Sequence, residues 1–95
     1  MRGVYLREIR HKMNPRNIIG AQVALARTTQ NMSLEGLSKA LLEAEIDLTA
    51  EELSRIEAQR FPVLDFEIIA LARALNASVE WLIIGSDGFQ IANKE

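Results

Sequence analysis

The stretch Thr49-Ala50-Glu51-Glu52-Leu53-Ser54-Arg55-Ile56-Glu57 decides the fold class. A Thr followed three residues later by Glu is a capping box: the Thr oxygen takes one free amide of the first helical turn, and the Glu reaches back for another. Leu53 and Ile56 then fall on one face of the helix that the box opens. Upstream, Glu43-Ala44-Glu45-Ile46-Asp47-Leu48 is a connection without a clear period. Before it, Ser33 is a good N-cap, and Leu34, Leu37 and Leu41 recur every three or four residues, which predicts a second helix. Thr29-Gln30-Asn31 is a polar break, and Ile19, Val23 and Ala26 mark one face of a first helix over about 18–28.

Downstream, Phe61-Pro62-Val63 is expected to end the third helix. Asp65 is the expected cap of a fourth, whose core face is Ile68, Leu71, Ala72 and Leu75. Asn76 suits the left-handed position that Gly usually fills at a helix end. Ser78 caps a short fifth helix through Trp81, Leu82 and Ile84, Gly85 stops it, and Asp87-Gly88 reads as a turn. The body has no strand-period run, repeat or low-complexity tract. Five short helices in this length cannot form a bundle of long parallel helices, so the expectation is a compact, orthogonal, all-α cluster around one core.

Composition narrows the function classes. The chain has 95 residues, 48% of them hydrophobic and 25% charged, values that suit one soluble domain. There is no Cys and a single His, His11, so no thiolate or spaced His metal site and no cofactor is expected. No apolar run approaches the ~18 residues of a membrane span, no signal-peptide pattern precedes the body, and a cytoplasmic location is expected. No nucleophile, base and cradle come together, so an enzyme is not expected. Net charge is −2, unevenly spread. Residues 1–16 form a basic arm with Arg2, Arg7, Arg10, Lys12 and Arg16 against Glu8, whereas 17–95 are acidic. Pro15 disfavours helix at Asn14 and separates the arm from a domain over 17–85. The arm pattern Val4-Tyr5-Leu6-Arg7-Glu8-Ile9 fits a strand or a helical turn equally. A short tail, 86–95, follows the domain and carries Phe89 and Ile91, apolar residues expected to seek cover against the core or a second copy.

Several strings resemble, in order and spacing, the lambda-repressor/Cro-like helix-turn-helix family of the xenobiotic-response-element type. They are Ile19-Gly20-Ala21-Gln22-Val23 through Arg27, Ser33-Leu34-Glu35-Gly36-Leu37-Ser38, Leu53-Ser54-Arg55-Ile56-Glu57, Ile69-Ala70-Leu71-Ala72-Arg73-Ala74-Leu75 and Ser78-Val79-Glu80-Trp81-Leu82. The likeness spans about 18–84, and the long 42–48 connection resembles a sub-type with a lengthened turn between helices two and three. The resemblance implies a five-helix DNA-binding domain, with helix two across the DNA backbone and helix three in the major groove. Carried onto this chain, it makes Ser33, Leu34, Thr49, Ala50, Glu51, Glu52, Ser54, Arg55 and Arg60 the DNA-binding candidates. It also implies an internal salt bridge between Arg27 and Glu57. The chain departs from the family pattern in three ways. Leu34 stands where a DNA-contacting Gln is common, Gly36 interrupts helix two, and helix three opens on Ala50-Glu51-Glu52 instead of polar or basic residues.

Each candidate also has a structural reading. Glu51 and Glu52 stabilise a helix N-terminus electrostatically, and a Glu can also accept from cytosine N4. Arg55 and Arg60 suit a phosphate or a solvated surface. Trp81 falls at core spacing, His11 is a solvated residue, and the basic arm either tracks DNA or stands apart from it. Two functions follow. One is a transcription regulator that binds double-stranded DNA as a homodimer. The other is a protein-interaction module, antitoxin-like or a regulatory partner, that keeps the fold with weak or no DNA binding. The basic arm, Arg55 and Arg60 favour the first; the acidic third helix and Leu34 favour the second.

Overall fold

A computed structural model describes Arg10 and residues 16–85. Among them run five α-helices and no strand: α1 Gly20–Thr29, α2 Leu34–Glu43, α3 Ala50–Glu57, α4 Asp65–Ala74 and α5 Val79–Ile84. No helix of the described residues is long and apolar enough to cross a membrane. The all-α expectation holds. α3 packs between α1 and α2, α4 packs on α2, and α5 closes against α1 and α4.

One core joins all five helices through Ile19, Val23, Leu37, Leu41, Leu48, Leu53, Ile56, Leu71, Leu75, Trp81 and Leu82, all buried. Periodicity placed most of these side chains. Ile18, expected at the start of the first helix, lies outside it and is exposed, and Ile84 is also exposed.

Local chemistry sets the helix starts. Ser33 Oγ accepts from Gly36 N, Ser78 Oγ accepts from Trp81 N, and Thr49 and Glu52 close the reciprocal capping box, both bonds at 3.0 Å. The fourth helix corrects the sequence reading. Asp65 lies inside the helix, and Leu64 occupies the N-cap position. Leu64 has no side-chain acceptor; instead Glu67 Oε1 reaches back and accepts from Leu64 N at 2.9 Å. This start turns Glu67 inward, in phase with Leu71 and Leu75, so Glu67 is only 2% exposed while Ile68 is half-buried.

Helix ends follow one device. Asn31, Glu45, Gln59 and Asn76 all take positive φ, from 56° to 65°. After each, a backbone amide folds back on the last turn: Met32 N to Arg27 O, Ile46 N to Leu41 O, Arg60 N to Arg55 O and Ala77 N to Ala72 O. These are Schellman closures, and they satisfy carbonyls that the helix leaves open. The third helix therefore ends at Glu57, closed by the left-handed Gln59 and ahead of Phe61-Pro62-Val63. Asn76 was the one such end expected from sequence.

The lengthened α2–α3 connection is pinned. Ile46 packs on the core, Leu48 is buried, Asp47 faces water, and Ser38 Oγ donates to Leu48 O at 2.6 Å. That in-out alternation over 46–48 is too brief to show as a period in the sequence.

Candidate nucleic-acid interface

α3 carries the candidate surface, and two contacts fix its pose. At its C-terminal end Arg27 of α1 holds Glu57 through a two-pronged bridge, Nε to Oε2 at 2.6 Å and Nη2 to Oε1 at 3.0 Å. Arg27 Nη1 donates to Met32 O at 2.8 Å, so one guanidinium joins α1, the turn after it and α3. Both side chains are largely buried, at 16% and 12% exposure. The hydrogen bonds to Glu57 raise the Arg27 pKa above its ordinary value, against the burial that pushes it down. A raised pKa on a base gives stability that is present below the unfolded-state value and lost only as pH rises through the folded-state value. For Arg27 that window lies beyond ordinary alkaline conditions, so its charge is constant in any practical assay.

The second contact was not foreseen. Asn17 Oδ1 accepts from Ile19 N at 3.1 Å and Gly20 N at 2.7 Å, which caps α1. Its Nδ2 donates to Ile56 O at 3.2 Å and Phe61 O at 2.7 Å, and Gln59 Nε2 donates back to Asn17 O at 3.0 Å. One amide side chain thus ties the start of α1 to the end of α3. Gly20 makes this approach possible: a Cβ there would collide with Ile56 O and sit 2.8 Å from Gln59 Cγ. The sequence signal was the polar Asn two residues before an Ile-Gly start, an Asx-turn composition.

With Leu53 and Ile56 buried, the outer side of α3 is the stripe Glu51, Ser54, Arg55 and Ala58, all exposed at helical spacing. Arg60 follows, exposed and without an ion pair among the described residues. Arg55 Nη2 donates to Glu51 Oε2 at 2.8 Å, and both side chains are more than half exposed. Such an exposed i,i+4 pair is worth only ~0.3–0.5 kcal/mol, so a stronger anion can take Arg55 from it.

The remaining candidates are turned to structural work. Thr49 and Glu52 hold each other in the capping box. Ser33 caps α2, Leu34 packs half-buried on the core, and Ala50 is half-buried at the start of α3. The structure therefore gathers Glu51, Ser54 and Arg55 on the open side of α3, with Arg60 exposed in the segment after it. Ahead of them lies an acidic rim of exposed Glu43, Glu45 and Asp47. Trp81 is in the core. His11, Phe89, Ile91 and the arm residues other than Arg10 and Arg16 lie outside the described residues, as does the 86–95 tail. No group of His, Asp or Glu among the described residues is arranged to hold a metal ion.

No protein-family profile matches the chain, and no curated protein and no solved structure matches it.

Proposed function

We propose that this protein is a sequence-specific DNA-binding transcription regulator that seats α3 in the major groove. The observation that carries the reading is the α2–α3 pair: two capped helices packed together, with the apolar face of α3 buried, Ser54 and Arg55 left on its open side, and Arg60 exposed just after its end. Ser54 and the Glu51–Arg55 pair would meet base edges, and Arg60 would meet the backbone. The lambda-repressor-like resemblance supports the same docking, with a homodimer on a two-fold symmetric site. Exposed Ile83 and Ile84 on α5 are consistent with a second copy covering that end.

A second reading rests on the acidic rim. Glu43, Glu45, Asp47 and Glu51 precede Arg55 with no basic residue among them, and such a surface suits a basic protein partner better than phosphates. Titration of fluorescent duplexes drawn from the protein's own promoter region separates the two, at low and moderate salt. Wild type is compared with the double variant Glu51→Gln/Glu52→Gln, whose side-chain amide at position 52 still completes the capping box. DNA docking gives binding that weakens steeply with salt and strengthens in the double variant. Absence of binding by both proteins at low salt rejects DNA and leaves the protein-partner reading.

A further inference from the structure

Arg10 belongs to the basic arm, but its side chain is largely buried against the body, at 14% exposure. Its Nη2 donates to Glu67 Oε2 at 2.7 Å, and Nη1 donates to Glu67 Oε1 at 2.9 Å and to Pro62 O at 2.8 Å. The guanidinium carbon stands 4.8 Å from the centre of the Phe61 ring. Glu67 is almost wholly buried, with only 2% of it exposed.

Among the described residues, the partners of this guanidinium all come from one short segment, 61–67. Pro62 is buried and turns its carbonyl inward, Phe61 provides a ring face, and α4 provides the carboxylate. Glu67 Oε1 also accepts from Leu64 N, so the same carboxylate sets the helix start and is held in place by it. The elements match a guanidinium and little else. A planar cation with a fork of N–H groups satisfies both carboxylate oxygens and the carbonyl at once while lying near the ring. An ammonium is a point charge and cannot span the fork. A neutral occupant would leave a buried carboxylate without a counter-charge.

We propose that Glu67, the Pro62 carbonyl and the Phe61 ring form a binding site for a guanidinium group, filled in cis by Arg10 and able to take a small alkylguanidinium when Arg10 is removed. The site includes none of Glu51, Ser54, Arg55 and Arg60 and does not rest on the DNA reading. It withdraws Arg10 from the cations that the arm offers to phosphates and makes it an anchor of the N-terminal segment.

Chemical rescue of the full chain tests this. Arg10→Ala empties the site and is expected to lower Tm by on the order of 10 °C or more. Ethylguanidinium chloride, titrated at constant ionic strength, is expected to raise that Tm and saturate; at ten times its Kd the folded-to-unfolded ratio rises about elevenfold. Wild type and Arg10→Ala/Glu67→Gln show no such rise, and ethylammonium does not substitute. The Leu64 amide and Phe61 ring resonances of Arg10→Ala shift along the same saturation curve. If Arg10→Ala does not fold alone, Arg10→Lys carries the test: it keeps the charge, loses the fork and is expected to melt several degrees below wild type. The proposal is overturned by an Arg10→Ala response to ethylguanidinium that matches wild type, by equal rescue with ethylammonium, or by an Arg10→Lys protein as stable as wild type.

Discussion

Substituting Gly20 by Ala tests the contact that sets α3 against α1. A methyl group at this position would overlap the Ile56 carbonyl oxygen and stand 2.8 Å from Gln59 Cγ and 3.1 Å from Asn17 Oδ1. Gln59 can swing aside, but a backbone carbonyl in a helix's last turn cannot, so α1 and α3 must part by roughly 1 Å to regain an ordinary contact. Overpacking of this kind costs ~1–3 kcal/mol. The shift also stretches the Gly20 N to Asn17 Oδ1 cap, whose complete loss is worth ~1 kcal/mol. Against these stands the better helix propensity of Ala, at most ~1 kcal/mol. The net expectation is a loss of about 1–3 kcal/mol, or roughly 5–20 °C in Tm for a chain of this size. Urea denaturation followed by circular dichroism measures it, with Gly36→Ala as control. A methyl at Gly36 meets only side-chain atoms, Ser33 Oγ at 3.1 Å and Met32 Cγ at 3.6 Å, so that variant should stay within ~1 kcal/mol of wild type. Gly20→Ala stability within ~0.5 kcal/mol of wild type, with unchanged m-value, would refute the argument.

Three further outcomes are expected. Arg27→Met should cost about 3 kcal/mol by leaving the largely buried Glu57 without its counter-charge, and Arg27→Met/Glu57→Leu should recover much of it; a double-mutant cycle giving a coupling below ~0.5 kcal/mol would contradict this. Glu45→Gly should stabilise by up to ~1 kcal/mol, because Glu45 sits at φ 65° on the exposed end of α2 and Gly takes that conformation without strain; calorimetry showing no gain would mean that the local turn carries no strain. Arg60→Ala should weaken duplex binding about equally for all sequences and reduce the salt slope by ~1, whereas a sequence-selective loss would place Arg60 at a base edge.

The readable parts of this fold were those decided by neighbours in sequence. Ser33, Thr49 and Ser78 act on amides three residues away, so each helix start could be located from a short string. The core stripes of α1, α2 and α3 followed from spacing alone. Where the helix end depends on a residue forced into left-handed backbone, legibility failed unless the residue was one that favours it. Asn76 announced itself; Glu45 and Gln59 did not, because the strain on them is imposed by the elements that follow. The fourth helix failed for a related reason. Asp65 is the better cap by composition, but Glu67 is drawn inward by Arg10 and satisfies Leu64 N, which fixes the start one residue early. A glutamate in phase with Leu71 and Leu75 was the available clue, and it asks for a partner that no local string supplies.

The same distinction bears on the candidate interface, since formal charge counts cations without asking what holds them. Arg10, Arg27 and Arg55 each form an ion pair with a glutamate of this chain. The first two are largely buried in pairs that hold Arg10 against α4 and α1 against α3, and a phosphate cannot recruit them without breaking those pairs. Arg55 is different, because its partner is exposed and its bond to Glu51 is exchangeable. Arg60 and, elsewhere on the body, Lys39 and Arg73 are exposed and form no ion pair among the described residues. If DNA is the ligand, the body supplies few phosphate contacts per protomer, and the arm's Arg2, Arg7 and Lys12 must supply much of the salt dependence. Replacing those three with Gln while keeping Arg10 separates the two roles of the arm. The salt slope should flatten while Tm stays near that of wild type, because the buried anchor is untouched. A slope unchanged by this triple variant would assign the electrostatics of binding to the body alone, and a collapse in Tm would show that the arm's other cations, not Arg10, hold the segment in place.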